Sequence, residues 1–155
     1  MAHAAAEPYL ERRLIYRHSL VVRIAHWVNV VCFTLLLMSG LQIFNAHPAL
    51  YWGQQSTFDA PFVALQADPE DAAKGITRIA GYKFDTTGVL GVSKVDGVAT
   101  ERGFPSWATI PSEQGLAIGR RWHFFFAWLL LINGFLYLLY SVATRHVQRD
   151  TARLA

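Results

Sequence analysis

Polar and apolar positions divide this chain into unlike parts. Two stretches, IAHWVNVVCFTLLLMSGLQIF (residues 24–44) and WHFFFAWLLLINGFLYLLYSV (residues 122–142), contain no Asp, Glu, Lys, Arg or Pro. A helix crosses roughly 30 Å of hydrocarbon with about 20 residues at 1.5 Å of rise each, so each stretch predicts one membrane-crossing helix. A chain of 155 residues has too little else to bury both as core helices of a soluble domain. The pattern divides into an N-terminal segment (1–21), a first helix (22–44), a long loop (45–117), a second helix (118–142) and a tail (143–155). The fold class it predicts is an all-α membrane protein with two antiparallel transmembrane helices joined by that loop.

The loop has internal order. GYKFDTTGVLGVSKVDG mixes β-favouring residues with Gly and Asp turn signals and predicts a small hairpin. ADPEDAAKG, opened by an Asp-Pro pair near its start, predicts a short helix. HPALYWG and FPSWATIP place aromatic residues where the chain leaves and re-enters the interface, as belt residues sit. A loop of this length is usually functional, and docking of an extracytoplasmic partner is its expected use. No internal repeat is present.

Composition strengthens the membrane reading. The chain is 53% hydrophobic and only 16% charged, against about 25% charged for soluble domains. The net charge of +3 is not gathered into an aromatic-interleaved patch, which argues against nucleic acid as partner. Cys32 is the only cysteine, so disulfides, CxxC metal sites and a C-x-x-C-H haem attachment are all excluded. The N-terminus, with Glu7, Pro8 and Glu11 ahead of any apolar run, does not read as a signal peptide. Arg12, Arg13, Arg17 and Arg23 precede the first helix, and Arg145, Arg149 and Arg153 follow the second. By the positive-inside rule both termini are expected in the cytoplasm and the loop outside. Arg120 and Arg121, at the loop's end, run mildly against this, but the loop exceeds the roughly 60 residues over which the rule is counted.

Two of six histidines fall within the spans. His26 lies near the cytoplasmic start of the first helix and His123 near the outer start of the second. An ionisable residue inside a membrane is costly and defaults to a functional reading; an interfacial histidine bonded to a headgroup or carbonyl is the alternative for either alone. With 1.5 Å per residue, His26 lies about 6 Å from one face and His123 about 7 Å from the other, some 20 Å apart in depth. That spacing suits two redox centres stacked across a bilayer. Gly40 returns to within about 40° of the His26 face, and Gly134 to within about 20° of the His123 face. Because the helices are antiparallel, Gly40 falls at the depth of His123 and Gly134 near that of His26. Each level then offers an axial nitrogen and a surface free of side chains, as a flat macrocycle requires. Packing notches are the alternative use of such glycines.

The other histidines carry less. His3 belongs to the tail-like N-terminus, and His18 and His146 sit beside arginines as solvated residues. His47 lies just beyond the first helix, where it would border a haem propionate, line a quinone pocket, or serve only in capping. Arg23, Arg120 and Arg121 sit where propionates would emerge; snorkelling is compatible with that role. A quinone pocket would draw on Asn29, Gln42 or His47. No nucleophile–base pair or carboxylate dyad lies in the spans, so any turnover is expected to belong to a partner.

RHSLVVRIAHWVN, SGLQIFNAHPALYWG and GRRWHFFFAWLLLINGFLYLLY resemble the bacterial dihaem cytochrome b subunits of cytochrome b-561 type, close to those of thiosulfate reductase and nickel–iron hydrogenase. The resemblance covers both spans and their flanks, and its His-Trp and Trp-His segments are fairly specific. It implies a subunit of the bacterial inner membrane that carries electrons through two b haems between the quinone pool and a partner oxidoreductase, with molybdopterin enzymes among the candidate partners. It implies that His26 and His123 are the first- and second-helix iron ligands. Members have four helices, the fourth supplying the opposing ligands, whereas this sequence ends at Ala155 without a third span. It is therefore expected to be half of a four-helix haem bundle, completed by companion helices or by a homodimer. A cofactor-free two-helix anchor that docks an extracytoplasmic protein is the competing expectation.

Overall fold

The computed structural model describes residues 19–144. Two long helices, α1 (Leu20–Phe44) and α2 (Leu116–Thr144), pack antiparallel. Ser19 opens α1, its hydroxyl accepting from the Val22 N–H at 3.4 Å. At the far end the Asn45 N–H closes the helix onto the Leu41 carbonyl at 3.0 Å. Both helices are long and apolar enough to cross a membrane.

A helix that is apolar all round has no single face to bury, so small residues decide which side meets the partner. On α1, Ala25, Cys32 and Ser39 recur every seventh residue and are all buried. On α2, the same spacing gives Gly119 and Phe126, both buried, then Asn133 and Tyr140, both half-buried. A seven-residue repeat is the seam of a left-handed helix pair. Contacts run along it from Tyr140 against Ser19, through Asn133 against Asn29 and His123 against Ser39, to Gly119 against Gln42. A Cβ on Gly119 would come within 3.1 Å of Gln42 Cγ, so glycine there permits close approach of the helices. Most large side chains off the seam, Trp27, Phe33, Leu37 and Trp128 among them, remain exposed.

The region between the helices overturns the all-α expectation. It folds as a β module with β1 (Ala49–Leu50), β2 (Val63–Ala67), β3 (Gly75–Ile79), β4 (Tyr82–Asp85), β5 (Gly91–Val95) and β6 (Val98–Arg102), followed by a 3-10 turn at Ser106–Ala108. Strands β1-β2-β3-β4 form one antiparallel sheet and β5-β6 another. β-branched residues in β3, β5 and β6, aromatic residues in β4 and tight turns explain why these short segments pair rather than coil into helices. Ala80-Gly81 and Asp96-Gly97 adopt positive φ at both positions (48° and 89°, 50° and 83°), the backbone of a two-residue hairpin turn whose twist matches the strands.

The predicted hairpin in GYKFDTTGVLGVSKVDG contains β4 and β5, but they do not pair with each other. Instead β4 pairs with β3 (Ile79↔Tyr82) and β5 with β6 (Val95↔Val98), each across its two-residue turn. The segment between β4 and β5 carries the chain from one sheet to the other. Gly75 and Gly91 let the sheets meet: a Cβ on Gly75 would strike the Leu90 carbonyl, and one on Gly91 the Gln66 carbonyl. The expected helix in ADPEDAAKG is absent as well. Register pairing of Ala67 with Gly75 leaves too short a connection for a stable helix. Asp68 and Asp71 side chains instead accept from the Glu70 and Ala73 N–H groups, both at 3.1 Å, bending the chain locally.

Candidate functional site

The histidines occupy different settings. At the end of the helix pair nearer the β module, the His123 Nδ1 lies 3.1 Å from the buried Ser39 hydroxyl. A Cβ on Gly40 would sit 3.8 Å from His123 Cε1. Gly40 is thus level with His123 and in direct apposition to its ring. On its other side Gly40 lines an apolar hollow of about 400 Å³ with Leu36, Leu37, Leu41, Phe44 and Phe104.

His26 lies thirteen residues from Ser39 along α1, about 20 Å at helical rise. One residue past Ala25 of the seam, it projects to the exposed side, where its ring meets Trp27 edge-on at 5.9 Å. Asn133 donates to Asn29 Oδ1 at 2.8 Å and to the Ala25 carbonyl at 2.9 Å. This polar clamp places the neighbouring Gly134 near the level of His26. Gly134 is exposed, and a Cβ there would meet nothing within 4 Å. Arg23 is exposed beside an apolar groove of about 480 Å³ that also includes Leu20, Ile24, Trp27 and Leu129.

Where α1 meets the module, an extended polar joint is buried. Arg102, 2% exposed, donates through Nε to the Phe104 carbonyl (2.7 Å), through Nη1 to the Ser112 carbonyl (2.9 Å), and through Nη2 to Thr109 Oγ1 (3.0 Å) and Gln42 Oε1 (3.4 Å). Gln42 in turn donates to the Glu113 carbonyl at 2.7 Å, while Asn45 Oδ1 accepts from the Phe104 N–H at 2.7 Å. Among the described residues the guanidinium has no carboxylate partner, and burial lowers its pKa from the ordinary arginine value. Its charge is held by neutral acceptors, at the end of α1 where the helix dipole is negative. The joint ties the β module to the His123 end of the pair.

The remaining sequence-predicted residues do not converge. His47 stacks on Tyr51 at 5.7 Å, its Nε2 2.7 Å from the tyrosine hydroxyl, with Phe58 edge-on at 5.6 Å. Asn29 is engaged by Asn133 and Gln42 by the joint, and the two are thirteen positions apart on α1, so with His47 they do not form one pocket. Arg120 and Arg121 are exposed on the first turns of α2, Arg121 beside Trp122 and Phe125. The terminal arginines, His3, His18 and His146 lie outside the described residues.

Ser39, Asn133 and Arg102 were not singled out by sequence reasoning. For Ser39 a signal existed, since antiparallel pairing puts it level with His123. Asn133 is a polar residue in an apolar span. Arg102, in VATERGFP, has no signal short of the tertiary structure. Among the described residues no cluster of three or more His, Cys, Asp or Glu could hold a bare metal ion. One imidazole at each level, each with an apolar neighbourhood and a glycine near it, suits half of a bis-histidine haem site.

The fold and these side chains define a helix pair built for a membrane, carrying an imidazole toward each end and a β module over one of them. Residues 17–154 match the family model of prokaryotic cytochrome b561, and the chain belongs to that family. No curated protein and no solved structure matches it. The family is one of bacterial membrane b-type cytochromes that bind haem b and act in electron transfer.

Proposed function

We propose that the chain holds two b haems, one on His26 and one on His123, and passes electrons through them between membrane quinone and a partner oxidoreductase. The carrying observation is the placement of two imidazoles about 20 Å apart along one helix pair, in a chain of this family. Haem, when bound, supplies one-electron chemistry. The chain's own part is to provide axial nitrogens, exclude water and fix depth. His26 serves the cytoplasmic level and His123 the extracytoplasmic level, with both chain termini inside and the β module outside. Arg23, Arg120 and Arg121 lie at the ends where propionates would reach the interface.

Among the described residues each level offers a single histidine, whereas a b haem held by two histidines would need a second at each level. The opposing ligands therefore come from further helices seated on the exposed faces of α1 and α2. Companion helices fit the dihaem pattern better than a two-fold dimer, which would place each histidine opposite its own copy. The β module, hydrogen-bonded to the end of α1 at the outer level, is the surface for an extracytoplasmic oxidoreductase subunit, of molybdopterin type among others. Family membership favours this over a cofactor-free anchor.

The test is a reduced-minus-oxidised visible spectrum of membranes carrying the chain with its partners. His26→Ala and His123→Ala are each expected to remove one of two low-spin b haems while both helices stay inserted. If both variants keep the parental spectrum, neither residue is a ligand.

A further inference from the structure

Resting on the reading of His123 as a haem ligand, we propose that Ser39 is its positioning residue: the hydroxyl fixes the imidazole with its proton on Nδ1 and leaves Nε2 as the nitrogen free to bind iron. The Ser39 side chain is fully buried in the seam. Its oxygen lies 2.7 Å from the Leu35 carbonyl, 3.2 Å from the Leu36 carbonyl and 3.1 Å from His123 Nδ1. A hydroxyl has one proton to donate and two lone pairs with which to accept. The shortest contact, at the usual O–H···O length, assigns that proton to the Leu35 carbonyl, the back-bond a serine makes within a helix. The oxygen then faces Nδ1 as an acceptor, so Nδ1 carries the hydrogen.

Two consequences follow from that assignment. The ring nitrogens diverge, so a bond from Nδ1 across the seam to α1 turns Nε2 away from α1. Second, a hydrogen bond donated by the remote nitrogen makes an axial imidazole a stronger electron donor and holds its orientation. Stronger donation favours the ferric state. His26 has no corresponding partner among the described residues; its ring neighbour is the edge of Trp27. The two sites are therefore unequal by construction, and only the His123 haem has its potential lowered by a serine.

The experiment compares Ser39→Ala, Ser39→Thr and His123→Ala in the haem-loaded complex isolated from membranes. It reads the two midpoint potentials and the rate of haem loss to a scavenger. A second measurement reads the protonated ring nitrogen of His123 in the full-length, haem-free chain in lipid nanodiscs, by ¹⁵N NMR. Expected for Ser39→Ala are a higher potential and about 10–100-fold weaker retention for the His123 haem alone, the His26 haem serving as internal reference. Ser39→Thr, which keeps the hydroxyl, should restore the potential, and the NMR should show hydrogen on Nδ1 in the parent and its loss of preference in Ser39→Ala. Unchanged potentials in Ser39→Ala, an equal shift of both haems, or hydrogen on Nε2 in the parent would each overturn the positioning role. Retention of both haems in His123→Ala would instead overturn the ligand assignment on which it rests.

Discussion

Gly134 separates a haem cradle from a packing notch, because among the described residues none lies against the side a Cβ would occupy. A Cβ built there has no heavy atom of the described residues within 4 Å, so Gly134→Ala introduces no clash among them and the Leu side chain of Gly134→Leu starts into open space. On helix propensity alone, alanine should be favoured by about 1 kcal/mol over glycine. Any loss must then come from a body lying against that face. Were it a porphyrin edge, the added carbons of Leu would overpack a fitted contact, at a cost of about 1–3 kcal/mol. With 1.4 kcal/mol per factor of ten, this is roughly 5- to 150-fold weaker retention of the haem at the His26 level. Gly40 supplies the contrast: its Cβ would stand 3.8 Å from His123 Cε1, so Ala fits there but Leu pushes the imidazole itself and should affect the other haem. The assay is haem loss from the purified complex to a scavenger, followed separately at the two haems by their spectra. Uniform destabilisation of Gly134→Leu with parental haem content and equal loss rates would refute the cradle and favour helix packing.

Arg102→Met should loosen the β module from α1, since it deletes four hydrogen bonds of a charged donor; relief of burying that charge offsets part of the loss, leaving about 2–3 kcal/mol. The module's susceptibility to limited proteolysis and the thermal midpoint measure it, and Arg102→Lys, lacking the planar fork, should rescue only in part. Asp85 accepts from the Thr87 hydroxyl at 2.6 Å and the Thr87 N–H at 3.0 Å, and these bonds lower its pKa. A lowered carboxylate pKa stabilises the fold above the unfolded value, about 4, and that stabilisation fades as pH falls through the folded value; the difference in thermal midpoint between parent and Asp85→Asn should accordingly shrink below about pH 4. Lys94→Cys, on β5, should label with an impermeant reagent from the extracytoplasmic side of intact cells, and labelling only after permeabilisation would reverse the assigned orientation.

Long apolar runs declare helices on their own, because a span of about 20 residues without charge has few other ways to satisfy its backbone in lipid. Residues 24–44 and 122–142 therefore announced both helices, and the b-type cytochrome family was legible in the motifs around His26 and His123. The depth relations were legible as well: a fixed rise per residue and an antiparallel pair suffice to put Gly40 level with His123. The module's strands were less so. The β-favouring residues and turn signals of GYKFDTTGVLGVSKVDG announced strands, but which strand pairs with which depends on contacts between Gly75, Gly91 and the opposing sheet, and periodicity says nothing of those. For the same reason a connection such as ADPEDAAKG, helical by its local signals, yields to the register of the strands on either side.

What only the tertiary structure decided is the rotational setting of the helices and everything that follows from it. In a span apolar on every side, no stripe of polar residues marks which face is buried; the seam is chosen by where small residues on two different helices coincide, a property of the pair. That choice leaves His26 exposed, brings Ser39 to the ring of His123, and closes Asn133 on Asn29. It also makes Arg102 a buried clasp, because a guanidinium in a strand end reads as a surface charge until the carbonyls of Phe104 and Ser112 and the side chains of Gln42 and Thr109 fold around it.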